Sequence, residues 1–262
     1  MCYLRMVIYN EYKVSPSLSR YVECYWTLQG HAFHAQHHVF PDGCMDILFD
    51  FGDVVQPGNP FRVVTDSDRI QIIGSMTKPV PVVQHGKIDL LGVRFKPGGL
   101  FQFVKFNGKA LTDQAVNFST IDLLPDSWKV EKLINLTTRE RIAVLQEYFC
   151  SKLRMAKPTA IERAIEVIVA SKGMCKIESL CFDVGLSPKT FYRKLNEQVG
   201  LSPKQLNQVI RFRAVKEVLE HNHFNSLTEL AWQFQFTDPA HFSHSFKSMA
   251  GMTPSEFVGR NR

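Results

Sequence analysis

Seven of the thirty residues from Ser187 to Lys216 are basic: Lys189, Arg193, Lys194, Lys204, Arg211, Arg213 and Lys216. They face one acid, Glu197, so this stretch alone carries an excess equal to the net charge of the whole 262-residue chain, +6. Such a density of cations fits a polyanion, and the bland alternative is a solvated basic helix face. Fixed cations neutralise phosphates but supply no nucleophile, so the chemistry they offer is binding. No Ser/His/Asp order and no carboxylate pair nominates a catalytic group. Lys96-Pro97-Gly98-Gly99 is glycine-rich but lacks the GxxxxGK[ST] spacing of a phosphate loop. The expectation is a protein that is not an enzyme and holds no cofactor.

A second concentration of reactive side chains lies in HAFHAQHHVF (31–40), with His31, His34, His37 and His38, and with Asp42, Cys44 and Asp46 close behind. A metal needs about three converging ligands. Sequence neighbours need not converge, so an exposed loop with no metal is expected. The six cysteines form no CxxC pair, and Cys44 has no basic sequence neighbour to lower its pKa, so a buried structural thiol is expected. Trp26, Phe40, Phe49, Phe51, Phe95 and Phe101 either line an apolar pocket or fill a small core, and the core reading has the stronger prior.

Two textures divide the chain. Up to about residue 108, short β-type runs (YVECYWTL 21–28, MDILFDF 45–51, RIQIIG 69–74, IDLLGVRF 88–95) alternate with turn signals at Pro41-Asp42-Gly43, Gly52-Asp53, Pro57-Gly58-Asn59-Pro60 and His85-Gly86. Many short strands at close spacing predict a small barrel or sandwich. Pro97 is placed to open a helix that Asn107-Gly108 would end. From about Ser127, apolar residues recur at helical spacing, and Lys157-Pro158 marks a boundary. Beyond it Ile161, Ala164, Ile165, Ile168 and Val169 share one face. No run is long and apolar enough to span a bilayer, and the N-terminus lacks a signal-peptide pattern, so a cytoplasmic location is expected.

The C-terminal part is internally duplicated. SLCFDVGLSPKTFYRKLNEQVGLSP (179–203) aligns with ELAWQFQFTDPAHFSHSFKSMAGMTP (229–254) at a period of fifty to fifty-one residues. Leu180 meets Leu230, Phe191 meets Phe242, Leu195 meets Phe246, and Gly200-Leu201-Ser202-Pro203 meets Gly251-Met252-Thr253-Pro254. In the first copy Gly185 can end one helix, Ser187 can cap the next and Pro188 can open it. Phe191 and Leu195 then face inward, leaving Lys189, Thr190, Tyr192 and Arg193 outside. In the second, Thr237 or Asp238 caps and Pro239 opens, leaving His241, Ser243 and His244 outside. Each copy reads as a helix-turn-helix, whose second helix enters the major groove. A helix from about Pro203 to Glu220 joins them.

On these residues, above all SPKTFYRKL (187–195), GLSP (200–203) and HFSHSFKSMAGMTPSEF (241–257), the last hundred residues resemble the AraC/XylS family of transcription regulators. The resemblance implies an all-α domain of seven helices whose two recognition helices enter successive major grooves. It implies base contacts from Lys189, Tyr192 and Arg193, and from Ala240, His241 and His244. Phosphate neutralisation would come from Lys194, Lys204, Arg211, Arg213 and Lys247. This chain departs from the pattern at Gln235, where the family has glycine, and at His244, where it has arginine; the second unit is therefore expected to read sequence more weakly. VFPDGCMDILFDFGD (39–53), GSMTKPV (74–80) and LLGVRFKPGG (90–99) resemble an N-terminal domain of one subset of AraC-like regulators.

The expected fold class is α+β: a small β-barrel or sandwich-like domain with helices (1–125), a helical linker (126–157), and an all-α DNA-binding domain (158–262). The expected function is DNA-binding transcription regulation, activation by the family's habit, with double-stranded DNA and RNA polymerase as partners. A small-molecule effector and a homodimer through the first domain complete the reading. Effector-independent action, control by a protein partner, and a metal-dependent barrel enzyme fused to such a tail stay open.

Overall fold

In a computed structural model, the structure describes residues 7–53, 69–118, 128, 130–153 and 157–260; the side chains of 32–37 and 83–85 also lie outside the description. The turn expected at 57–60 falls outside it as well. Six strands form one sheet in the order β1-β2-β5-β3-β4-β6: β1 (Ile8–Tyr12), β2 (Val22–Val39), β3 (Met45–Asp50), β4 (Ile70–Ile73), β5 (Val80–Phe95) and β6 (Ala115–Asn117). All pairings are antiparallel.

Alternation sorts the side chains to two faces. Tyr25, Ile47, Phe49, Ile72, Leu91, Val93 and Phe95 form one apolar face, which α2 (Val130–Leu133) and α3 (Thr138–Lys152) cover. Phe149 meets Phe95 edge-on at 5.3 Å, and Trp128 meets Phe49 at 5.7 Å. The helices expected as a linker thus share the sheet's core. The other face carries Trp26, Leu28, Leu48, Ile73 and Leu90.

Three local expectations are corrected. The histidine-rich stretch is not a loop: it continues β2, paired with β5 through Val39↔Val80, so the 18-residue strand carries it. His85-Gly86 is not a turn but lies inside β5. Gly86, at φ 72°, sits opposite a register shift between Ala32 and Ala35, as glycine does at a β-bulge. After Pro97 the chain makes only a short 3-10 helix, Leu100–Gln102, and Asn107 caps the start of α1 (Gly108–Leu111) rather than ending a helix. Its side chain accepts from the Lys109 N–H at 3.2 Å.

Seven helices follow among the described residues from Ala160: α4 (Ala160–Ala170), α5 (Ile177–Asp183), α6 (Pro188–Val199), α7 (Pro203–Glu220), α8 (Leu227–Gln233), α9 (Pro239–Ala250) and α10 (Pro254–Arg260). Thr159 and Glu162 form a capping box that starts α4 just past Pro158. Ile161, Ala164, Ile165 and Ile168 are buried, whereas Val169 is 42% exposed, at the edge of the apolar stripe.

The sheet and the helical domain meet along a seam of close backbone approach. At the Asp42-Gly43 turn, Asp42 Oδ1 accepts from Cys44 N–H at 2.9 Å, and a Cβ on Gly43 would lie 3.2 Å from Ile210 of α7. A Cβ on Gly98 would lie 2.8 Å from Ile165 of α4. The end of α6 rests on α1: a Cβ on Gly108 would stand 2.6 Å from the Gly200 nitrogen. Ser75 Oγ donates to the Val199 carbonyl at 2.7 Å and Thr112 Oγ1 to the Gly200 carbonyl at 2.6 Å, satisfying carbonyls that a helix end leaves free. The PDG and PGG motifs of the first half are therefore docking surfaces for the second.

Candidate nucleic-acid interface

The turn chemistry places both candidate recognition helices. Gly185 (φ 69°) ends α5, and the Ser187 hydroxyl accepts from the Thr190 N–H to start α6, with Pro188 in its first turn. Gly200 (φ 80°) ends α6, and Ser202 and Gln205 form a capping box that starts α7. In the second unit Asp238, not Thr237, caps α9: its Oδ1 accepts from the His241 N–H at 2.7 Å, while Thr237 Oγ1 lies 2.6 Å from His241 Nδ1. Gln235 takes the left-handed turn at φ 56°, where the first copy has Gly185. A non-glycine residue pays about 1 kcal/mol or more there. Gln235→Gly is therefore expected to raise stability by about 0.5–1 kcal/mol, less any entropy gained by the unfolded chain. Chemical denaturation of the two proteins measures it.

Inward faces are completely buried, with Phe191 and Leu195 in α6 and Phe242 and Phe246 in α9 all at or below 2% exposure. Lys189, Tyr192 and Arg193 stand exposed on α6; Thr190 and Lys194 are half-buried. Arg193 makes one surface ion pair, to Glu197 at 3.6 Å, of a kind that holds a side chain only weakly. Ala240, His241, His244 and Lys247 are exposed on α9, and Lys204 at the start of α7. Tyr192, Lys204, Arg211 and His241 line one concavity of about 590 Å³ between the two units.

Two of the expected phosphate-binding cations are committed within the chain. Arg211 donates through Nε and Nη2 to the Gly173 carbonyl, at 3.2 and 2.9 Å, and lies over the Phe236 ring. Arg213 pairs with Glu23 of β2 across the seam, with Nη1 at 3.2 Å from Oε2 and a second contact to Oε1. Burial would raise the Glu23 pKa, but the Arg213 hydrogen bonds and charge hold it below its ordinary value. Lys216, also on α7, pairs with Glu220 at 2.7 Å. Three of the four cations of α7 thus brace the fold, and of the other cations expected at DNA, Lys189, Arg193, Lys204 and Lys247 are exposed and Lys194 is half-buried.

Sequence reasoning missed two aromatics. Phe182 of α5 is 87% exposed and Trp232 of α8 is 56% exposed. The repeat alignment sets one on the other, and that coincidence was the available signal. Cys44 does have a basic neighbour, Arg213 Nη1 at 3.8 Å from its Sγ, contributed from 169 residues away. Burial still dominates, with Asp42 and Glu23 adding to it, and pushes this thiol well above the usual range. Phe49, Phe51 and Phe95 belong to the sheet core, whereas Trp26 and Phe40 line a cavity on the opposite face. His31 and His38 are exposed on β2, and the side chains of His34 and His37 lie outside the described residues. No group of three metal-ligand side chains is gathered among the described residues. No helix among them is long and apolar enough to cross a membrane.

Residues 180–260 match the family model of a helix-turn-helix domain, and residues 10–117 match a domain of unknown function, DUF6597. The HTH-type transcriptional activator RhaS of Citrobacter koseri is 30% identical over 79 residues, 30% of this chain and 28% of that protein. Histidine kinase P4 of Formosa agariphila is 24% identical over 102 residues, 38% of this chain and 7% of that protein. The chain thus spans under a third of the length of either relative. Among solved structures, ToxT from Vibrio cholerae aligns over 97% of this chain and 98% of its own at 14% identity, with a TM-score of 0.44. Residues 180–260 thus form a helix-turn-helix domain, set behind an N-terminal domain of unknown function over residues 10–117.

Proposed function

We propose that this protein is a DNA-binding transcription regulator that reads double-stranded DNA through α6 and α9. The observation that carries this reading is the duplication itself: two capped helices with buried inner faces and exposed polar outer faces, joined by α7. Lys189, Tyr192 and Arg193 make the base contacts of the first unit; Ala240, His241 and His244 make those of the second. Thr190, Lys194, Lys204 and Lys247 hold the backbone. The first helix of such a unit crosses the backbone, so Phe182 and Trp232 meet sugars at equivalent places in the two grooves. The chain acts as an activator with RNA polymerase as partner, in the cytoplasm, and the sheet domain receives a small-molecule signal. A homodimer joins through that domain, where edge strand β1 exposes Ile8 and Tyr9.

Genome-wide mapping of bound DNA tests the reading, with a recurrent motif of two half-sites about one helical turn apart as the expected result; binding without sequence preference would sink it. Arg193→Ala weakens binding to the recovered site by about 1–3 kcal/mol and relaxes one base position. His244→Ala costs less, because imidazole cannot grip guanine in the bidentate way a guanidinium can. Titrations of both variants against site and scrambled duplexes decide the ranking, and the reverse order overturns the assignment.

A further inference from the structure

The sheet face that turns away from α2 and α3 holds a cavity of about 630 Å³, closed on the far side by Arg213 and Lys216 of α7. Its floor is Trp26. The indole lies over Gly92, where a Cβ would stand 2.0 Å from the ring, so only glycine admits it. Leu28, Leu48, Ile73 and Leu90 make the walls apolar.

One corner is polar and unevenly satisfied. Asp46 Oδ1 accepts from Trp26 Nε1 at 2.7 Å and from Arg94 Nε at 3.2 Å. Asp42 Oδ2 lies 3.8 Å from the same Nε. Among the described residues, the two terminal amino groups of Arg94 have no hydrogen-bond partner, although the side chain is only 24% exposed. Among the described residues, Asp42 meets only the Cys44 N–H and this distant Nε, which Asp46 already shares, so none of them gives it a cation of its own. Of the other charged groups lining the cavity, Glu23 is matched by Arg213 and Lys216 by Glu220, whereas Glu11 accepts from the Tyr9 hydroxyl at 2.7 Å.

We propose that this cavity binds a free α-amino acid with a large apolar side chain. Its carboxylate accepts from the two terminal amino groups of Arg94, the geometry in which a guanidinium grips a carboxylate best. Its ammonium lies against Asp42, and its side chain lies on Trp26 between the leucine walls. The two charges of an α-amino acid sit on adjacent carbons, as the unmet donors and acceptor sit side by side in this corner. A simple carboxylic acid would meet two carboxylates for one guanidinium. A simple amine would leave the Arg94 donors unmet. Because α7 closes the cavity, the bound molecule touches the helix that joins the two helix-turn-helix units; that coupling rests on the regulatory reading, whereas the binding does not.

Calorimetry on the full chain with L-phenylalanine, L-tryptophan and L-leucine tests binding directly. N-acetyl-phenylalanine, phenylalanine amide, 3-phenylpropanoate and phenethylamine serve as probes lacking one charge. Saturable one-to-one binding is expected, weakened about tenfold or more in each single-charge probe. Asp42→Asn keeps the acceptor for Cys44 N–H and should weaken amino-acid binding by a similar factor without unfolding the chain. Arg94→Met exposes buried Asp46 to loss of its partner, so it is read only alongside a folding control. Equal binding of a single-charge probe, an unchanged Asp42→Asn, or no binding at millimolar amino acid would each overturn the proposal. DNA titration with and without the amino acid is a separate measurement: binding with no effect on DNA affinity leaves the site standing and removes the coupling.

Discussion

Raising salt from about 50 to about 200 mM is expected to weaken binding to the specific duplex by between one and two orders of magnitude. Each neutralised phosphate contributes about 0.9 to the slope of log affinity against log salt. The cations assigned to phosphates are Lys194, Lys204 and Lys247, because Arg211 is bound to the Gly173 carbonyl and Arg213 to Glu23. Three contacts give a slope of about −3, whereas five, with Arg211 and Arg213 added, would give about −4 to −5. Lys204→Ala and Lys247→Ala should each flatten the slope by about one, and Arg213→Ala should leave it unchanged. Fluorescence anisotropy across a salt series measures all four. A slope that falls with Arg213→Ala would mean that the Glu23 pair opens on DNA and frees the guanidinium.

Gly200→Ala is expected to cost about 3 kcal/mol or more, and Gly185→Ala about 1 kcal/mol. Both glycines have left-handed backbone, at φ 80° and φ 69°, and both end a helix before a serine cap and a proline. They differ in what surrounds them. A Cβ on Gly200 would lie 2.6 Å from the Gly108 carbonyl oxygen and 2.8 Å from Thr112 Oγ1, while nothing lies within 4 Å of one on Gly185. Backbone cannot yield as a side-chain tip does, so Gly200→Ala must lift α6 off α1 and strain the Thr112 hydrogen bond. Denaturant titrations of both variants separate the two costs. Equal losses would show that the α1–α6 contact contributes nothing to stability.

The twin hexapeptides VGLSPK, at 184–189 and 199–204, show what could be read in advance and what could not. Glycine stop, serine cap and proline start act within four or five residues, so the helix ends they define were legible, as were the buried faces of Phe191, Leu195, Phe242 and Phe246. The His31–His38 stretch was not, because a strand takes its identity from its partner, and β5 lies some fifty residues on in the chain. Phe182 and Trp232 were legible only through the repeat. Trp26, Phe40, Phe49, Phe51, Phe95 and Phe101 read from sequence as either pocket lining or core, with core favoured, and only the tertiary structure puts Phe49, Phe51 and Phe95 in the sheet core and Trp26 and Phe40 at the cavity on the other face.

By itself, then, the sequence determined the class of each domain, the duplicated helix-turn-helix and the outward position of Lys189, Tyr192 and Arg193. Those rest on periodicity and capping, whose physics is local. Only the tertiary structure decided which cations remain available and how the halves meet. Arg213 and Glu23 stand 190 residues apart, and Ser75 reaches the Val199 carbonyl across 124. Charge pairing and backbone contact act through space, and a linear reading holds no distance between residues so far apart in the chain.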